Sequence, residues 1–95
     1  MNDNQPATIM IITGRARRKP DAADEGVHIL LAAPDDDSAV RAALEALKGE
    51  GFAEAELDQI GELDEQPDDE PHRSAWQGAV EGDVSIITFD DPEDA

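Results

Sequence analysis

The chain has no cysteine and no tyrosine, and its 95 residues include one tryptophan and two phenylalanines. The absence of cysteine excludes a disulfide framework, a thiol nucleophile and a metal site built on thiolates. Because aromatic side chains are so few, the core has to be built from Ile, Leu, Val and Ala. A chain of this length is expected to form a single domain, 1–95, with a net stability on the order of 5 to 10 kcal/mol.

Long hydrophobic runs are also missing. The apolar run nearest the start, 9–12, is far shorter than a membrane span, and the charged residues follow it instead of preceding it. No signal peptide is visible in this pattern. We therefore expect a cytoplasmic protein of bacterial type that does not contact the membrane.

Basic residues are scarce, with seven Lys and Arg against 24 Asp and Glu, for a net charge of −17. Four of the seven lie together at Arg15, Arg17, Arg18 and Lys19, so 1–20 carries +3 and 21–95 carries −20. No aromatic residue lies between these basic residues, and the acidic remainder would repel phosphates, so direct binding to nucleic acid is not expected. The basic cluster is predicted to lie in a solvated loop between two strands.

Hydrophobic patterning predicts four strands. β-branched residues over 7–13 and 27–33 indicate a first antiparallel pair, joined by a long loop over 14–26. Strict alternation after Phe52 favours a third strand over 52–63. The phase shifts near Asp58, however, which requires a bulge or a break near Gly61. The last strand is predicted over 84–89, while 64–70 is a second long loop and 1–6 and 90–95 are expected to be flexible.

Two helices separate these strands. The first is predicted to be capped by Asp37 or Ser38 and to end at Gly49. The second is predicted to begin at Pro71, with Asp68 or Asp69 as its cap. The expected inner faces of the two helices are Val40, Ala43, Leu44 and Leu47, and His72, Ala75, Trp76, Ala79 and Val80.

The resulting order, ββαβαβ, predicts an α+β fold, a small two-layer α/β sandwich with both helices on one face of a four-stranded sheet. If 52–63 forms two short strands, the alternative is a ferredoxin-like unit with an extra N-terminal strand. A helix over 52–63 is a further alternative, but Glu56 would interrupt its apolar stripe.

Residues that could carry chemistry are few: two histidines, His28 and His72, and three serines. No nucleophile-elbow pattern and no phosphate-binding loop is present, so neither an enzyme nor a bound cofactor is expected. Asp68, Asp69, Glu70 and His72 bring metal-ligand types together. Capping of a helix start explains these residues sufficiently, so no metal site is predicted.

The sequence thus predicts a small acidic, non-enzymatic protein that acts as an interaction or regulatory module for a basic protein partner. The expected partner-binding residues are Glu54, Glu56, Asp58 and Glu62, which would form one polar face of the third strand. The alternative is a small-ligand-sensing or oligomerising α+β domain, either a monomer or a homodimer formed through an open sheet edge. Trp76 is interpreted as core, with an interface anchor as the alternative.

Overall fold

Four strands and two helices follow one another in a computed structural model that describes residues 8–89. The α+β class and the order ββαβαβ are confirmed. The predictions of flexible ends, 1–6 and 90–95, lie outside the described residues. The element bounds are β1 Thr8–Arg17, β2 Glu25–Ala33, α1 Asp36–Gly49, β3 Glu54–Glu62, α2 His72–Val80 and β4 Ser85–Phe89.

The strands form one antiparallel sheet in the order β3-β1-β2-β4. β1 and β2 lie at its centre, with Ile12 paired to Ile29 on β2 and to Ile60 on β3. Both central strands are apolar at odd and at even positions. A strand of this kind is stable only where both of its faces are covered.

The two helices cover opposite faces of the sheet, so the predicted placement of both helices on one face is wrong. Ala39, Ala43 and Leu47 of α1 pack in one core with Ile12 and Ile29. Ala75 and Ala79 of α2 pack in a second core with Leu30, and Ile9 and Ile11 lie against it. Because successive strand residues point to opposite faces, the two cores lie on either side of the sheet. Within 8–89, neither helix is long and apolar enough to cross a membrane.

The connection between β1 and β2 is shorter than predicted. β1 continues to Arg17 and β2 begins at Glu25, so only 18–24 of the expected loop 14–26 lies outside the strands. Arg15 and Arg17 stand opposite Glu56 and Glu54 in the register between β1 and β3. Cross-strand pairs of opposite charge favour strand pairing, which explains why these polar residues extend the sheet. The second predicted loop, 64–70, has no regular structure, as expected.

β3 is one strand with a bulge. Thr13 pairs with Gln59 and Gly14 pairs with Leu57, which leaves Asp58 without a partner residue in the register. The bulge brings Leu57 and Ile60 to the same face, where both pack against the α1 core. The predicted change of phase near Asp58 is confirmed, and the bulge lies at Asp58 itself, three residues before Gly61. Neither the two-stranded nor the helical alternative for 52–63 is correct.

The ends of the helices differ in detail from the prediction. Asp35, not Asp37 or Ser38, caps α1. The helix ends at Gly49 as predicted, but the left-handed conformation expected at that glycine is found at Gly51, with φ 97°. The predicted inner face of α1 includes Leu44, which is 43% exposed.

At α2, the carboxylate of Glu70 accepts hydrogen bonds from the backbone N–H and hydroxyl of Ser74, so Asp68 and Asp69 are not its caps. Val80, predicted to face inward, is 48% exposed. α2 is the shorter helix, and it covers only part of its face of the sheet.

Candidate functional site

The four residues predicted to bind a partner do not share one face of β3. Glu54 and Glu56 lie opposite Arg17 and Arg15, on the α2 side of the sheet, whereas Glu62 lies opposite Met10, on the α1 side. Asp58 is the bulged residue, and it lines a small pocket on the α1 side. The bulge changes the phase of the strand, so the expectation of a single polar face is wrong.

Carboxylates neutralise the arginines at the hairpin end of the sheet. Arg15 approaches Glu56 at 3.9 Å, and Arg17 approaches Glu54 at 3.6 Å and Asp24 at 2.7 Å. Arg18 approaches Glu25 at 3.5 Å. The three arginines of the basic cluster are therefore compensated by carboxylates of the same fold. Two of the predicted partner-binding residues, Glu54 and Glu56, supply part of that compensation.

Arg18 also connects the hairpin to the end of α1. Its guanidinium donates a hydrogen bond of 3.0 Å to the carbonyl of Glu50 and stacks over the ring of Phe52 at 4.2 Å from the centroid. Phe52 is buried against the α1 core. A cation next to the last carbonyls of a helix is favourable because that end of the helix dipole is negative.

At the opposite end of the sheet, four carboxylates line one depression, which we call the acidic groove: Asp35, Asp36, Asp37 and Glu62. Asp35 accepts a hydrogen bond of 2.8 Å from the backbone N–H of Ser38, and this bond lowers the pKa of the Asp35 carboxyl. All four carboxylates are exposed. None of them is within ion-pair distance of a basic side chain in residues 8–89.

A second constellation joins the two histidines of the chain. His28 Nδ1 and His72 Nε2 lie 2.8 Å apart, one on β2 and the other at the start of α2. The ring of Phe89 packs edge-on against His28, with centroids 4.7 Å apart, and lies nearly parallel to His72 at 6.3 Å. Partial burial, followed by the neighbouring His72, lowers the pKa of His28. Sequence reasoning missed this pair because its members are 44 residues apart and no local pattern relates them.

Trp76 belongs to the α2 core, as the core interpretation predicted. It packs with Leu30, Ala75 and Ala79. Its indole Nε1–H is shielded from solvent and has no hydrogen-bond partner in the described part of the chain.

The residues considered as metal ligands in the sequence, Asp68, Asp69, Glu70 and His72, do not converge on one point. His72 turns to His28, and Glu70 accepts from Ser74. No group of three or more His, Asp or Glu side chains within 8–89 is arranged to hold a metal ion.

No protein-family model matches the chain, and comparisons with curated proteins and with solved structures find no match either.

Proposed function

We propose that the protein is a non-enzymatic interaction module that binds a basic segment of a partner protein on the acidic groove. The observation that supports this proposal is that the carboxylates at one end of the sheet are paired with basic side chains, whereas those at the other end are not. Those at the hairpin end are paired with Arg15, Arg17 and Arg18. Within residues 8–89, no basic side chain lies within ion-pair distance of the carboxylates of the acidic groove, although Arg41 acts on Asp35 from further away. These carboxylates can therefore pair with basic side chains of another molecule.

Asp58 extends this surface along the edge of the sheet. It lies on the α1 side of β3, the side that also carries Glu62. The proposed docking surface therefore retains Asp58 and Glu62 from the original prediction and replaces Glu54 and Glu56 with the three aspartates at the start of α1.

The net charge of −17 determines the kind of partner. A surface of this sign repels nucleic acid and attracts Lys- and Arg-rich protein segments, and it accelerates encounter by about tenfold to a thousandfold at low salt. The proposal includes a cytoplasmic setting, in which the protein acts as a monomer or a homodimer.

Binding to a short polyarginine peptide, measured by calorimetry at low and at physiological salt, tests the proposal. The variant Asp36→Asn/Asp37→Asn/Glu62→Gln removes three charges from the acidic groove. Its matched control, Glu54→Gln/Glu56→Gln/Glu45→Gln, removes three charges elsewhere. We expect the groove variant to bind more weakly than its control, with the difference largest at low salt.

The same two variants test whether a natural partner binds at the acidic groove. We expect the wild type and the control to retain from a cell extract a basic protein that the groove variant does not retain. Equal loss of binding in both variants would mean that net charge alone governs association, and it would contradict a docking surface at the acidic groove.

A further inference from the structure

We propose that His28 and His72 together bind a divalent metal ion that prefers tetragonal coordination. Among such ions, Cu(II) fits the site best. The proposal concerns the α2 side of the sheet and is independent of the acidic groove, which lies beside the start of α1.

The separation of the two nitrogens suits adjacent positions on one metal ion. His28 Nδ1 and His72 Nε2 are 2.8 Å apart. With metal–nitrogen bonds of about 2.0 Å, two donors at this spacing subtend an angle of about 90° at the metal, as adjacent ligands do in tetragonal Cu(II) sites. A tetrahedral Zn(II) site needs a wider angle, so the rings would have to move apart.

Packing keeps the two imidazole rings next to each other in the metal-free structure, where a hydrogen bond joins them. His28 lies within β2, paired on one side with Thr13 and on the other with Ile87. His72 is the first residue of α2, and Phe89 packs against both rings. Ligands whose rotamers are restricted by packing lose little conformational entropy on binding.

Coordination replaces the hydrogen bond between the rings. Each neutral imidazole has one N–H and one lone pair. In the bound form His28 carries its proton on Nε2 and His72 carries its proton on Nδ1, so that Nδ1 of His28 and Nε2 of His72 donate their lone pairs to the metal. Since no third side chain in 8–89 completes the site, water occupies the remaining positions.

The charge around the site favours a cation despite the position of His72 at a helix start. The N-terminus of α2 carries the positive end of its dipole, which opposes a metal ion. Asp68, Asp69 and Glu70 precede His72 in the chain and offset this effect, and the net charge of −17 attracts divalent cations to the whole surface.

Trp76 provides a reporter for the test, because it lies one helical turn after His72 on α2. Titration of the wild-type protein with CuSO₄ is expected to quench the Trp76 emission with saturation at one equivalent. His28→Gln and His72→Gln are each expected to weaken binding by at least about tenfold, as loss of a ligand costs no less than loss of its outer-sphere partner.

The variant Glu45→Gln/Glu50→Gln is the matched control for unspecific binding to carboxylates, because both side chains are exposed and lie outside the acidic groove. Its affinity for Cu(II) should be close to that of the wild type. If either histidine variant binds Cu(II) as tightly as the wild type, or if the glutamate variant alone loses binding, the proposal is wrong. Circular dichroism establishes whether each variant is folded.

Pulsed electron paramagnetic resonance of the wild type with one equivalent of Cu(II) gives a second test that needs no variant. We expect the electron spin echo to be modulated by the uncoordinated ring nitrogens of two imidazoles bound to Cu(II). A spectrum without imidazole modulation would overturn the proposal even if a histidine variant failed to fold.

Discussion

At the scale of single residues, Gly14 is the position where the sheet leaves least room for a side chain. A Cβ atom at Gly14 would overlap the carbonyl oxygen of Glu56 and lie 2.8 Å from the Cα of Leu57. Both neighbours are backbone atoms at the bulge of β3, so neither can rotate away. We expect Gly14→Ala to lower the free energy of unfolding by about 2 kcal/mol or more, measured by urea denaturation.

Gly61 is the matched control, because it lies in β3 on the other side of the same bulge. No heavy atom lies within 4 Å of the position that its Cβ would occupy. Gly61→Ala is expected to change the free energy of unfolding by less than about 0.5 kcal/mol. Equal effects of the two substitutions would show that the close approach at Gly14 does not constrain the sheet.

Arg18 is the residue that couples the hairpin to the helix layer. Its guanidinium donates to the carbonyl of Glu50 and stacks on Phe52, whereas the neighbouring Lys19 side chain makes no ion pair within residues 8–89. We expect Arg18→Gln to lower the free energy of unfolding by about 1 kcal/mol, since both the hydrogen bond and the cation–π contact are lost. Lys19→Gln removes the same charge and should have almost no effect. A larger loss for Lys19→Gln would indicate that only the local charge matters.

At the scale of elements, the carboxylates at the two helix starts make stability depend on pH on the acid side. A backbone hydrogen bond from Ser38 lowers the pKa of Asp35, and a hydrogen bond from the Ser74 hydroxyl lowers the pKa of Glu70. A carboxyl whose pKa is lower in the folded than in the unfolded state contributes stability at neutral pH. That contribution decreases as the pH falls below about 4.

Two variants at the start of α1 separate the charge of the capping side chain from net charge, because Asn can still accept the capping hydrogen bond. Asp35→Asn and Asp37→Asn each remove one carboxylate, but only Asp35 binds the N–H of Ser38. We expect Asp35→Asn to have the lower Tm at neutral pH, and the difference to shrink as the pH falls below about 4 and the wild-type carboxylate takes up a proton. Thermal denaturation followed by circular dichroism measures this. A difference that persists at low pH would contradict the role of the Asp35 charge.

Most elements of the fold could be predicted from local patterns. The β-branched run before Gly14 and the spacing of Ala43 and Leu47 determine a strand and a helix, whatever the tertiary context. The phase shift at Asp58 predicted the bulge. The predicted length of the hairpin loop was wrong because Arg15 and Arg17 are stabilised by residues of β3 that follow much later in the chain.

The layer arrangement was predictable in principle, but the polar sites were not. Apolar residues at both odd and even positions of β1 and β2 already require cover on two faces, which a two-layer sandwich cannot provide. The pairing of His28 with His72, and the approach of Glu62 to the aspartates of α1, depend on how distant segments meet. Neither has a signature in residue spacing.

At the scale of the whole molecule, a net charge of −17 over 95 residues opposes folding, because like charges repel one another. The folded body is 19 Å across in its shortest direction. The Debye length is about 30 Å at 0.01 M salt and about 8 Å at 0.15 M. At the lower ionic strength each carboxylate interacts with charges across the full thickness of the molecule, and at the higher one only with its neighbours. Salt also weakens the ion pairs of Arg15, Arg17 and Arg18, but exposed pairs contribute only about 0 to 1 kcal/mol each.

Relief of repulsion should therefore exceed the loss of ion pairs, and we expect the Tm to rise between 0.01 and 0.15 M NaCl. Chloride is the appropriate salt because sulfate stabilises folded proteins through its exclusion from their surface. The variant Asp36→Asn/Asp37→Asn/Glu62→Gln, with three fewer repelling charges, should be more stable at low salt and show a smaller rise. A Tm that is constant or falls with added NaCl would mean that the hairpin ion pairs, and not the unpaired carboxylates, dominate the electrostatics of this fold.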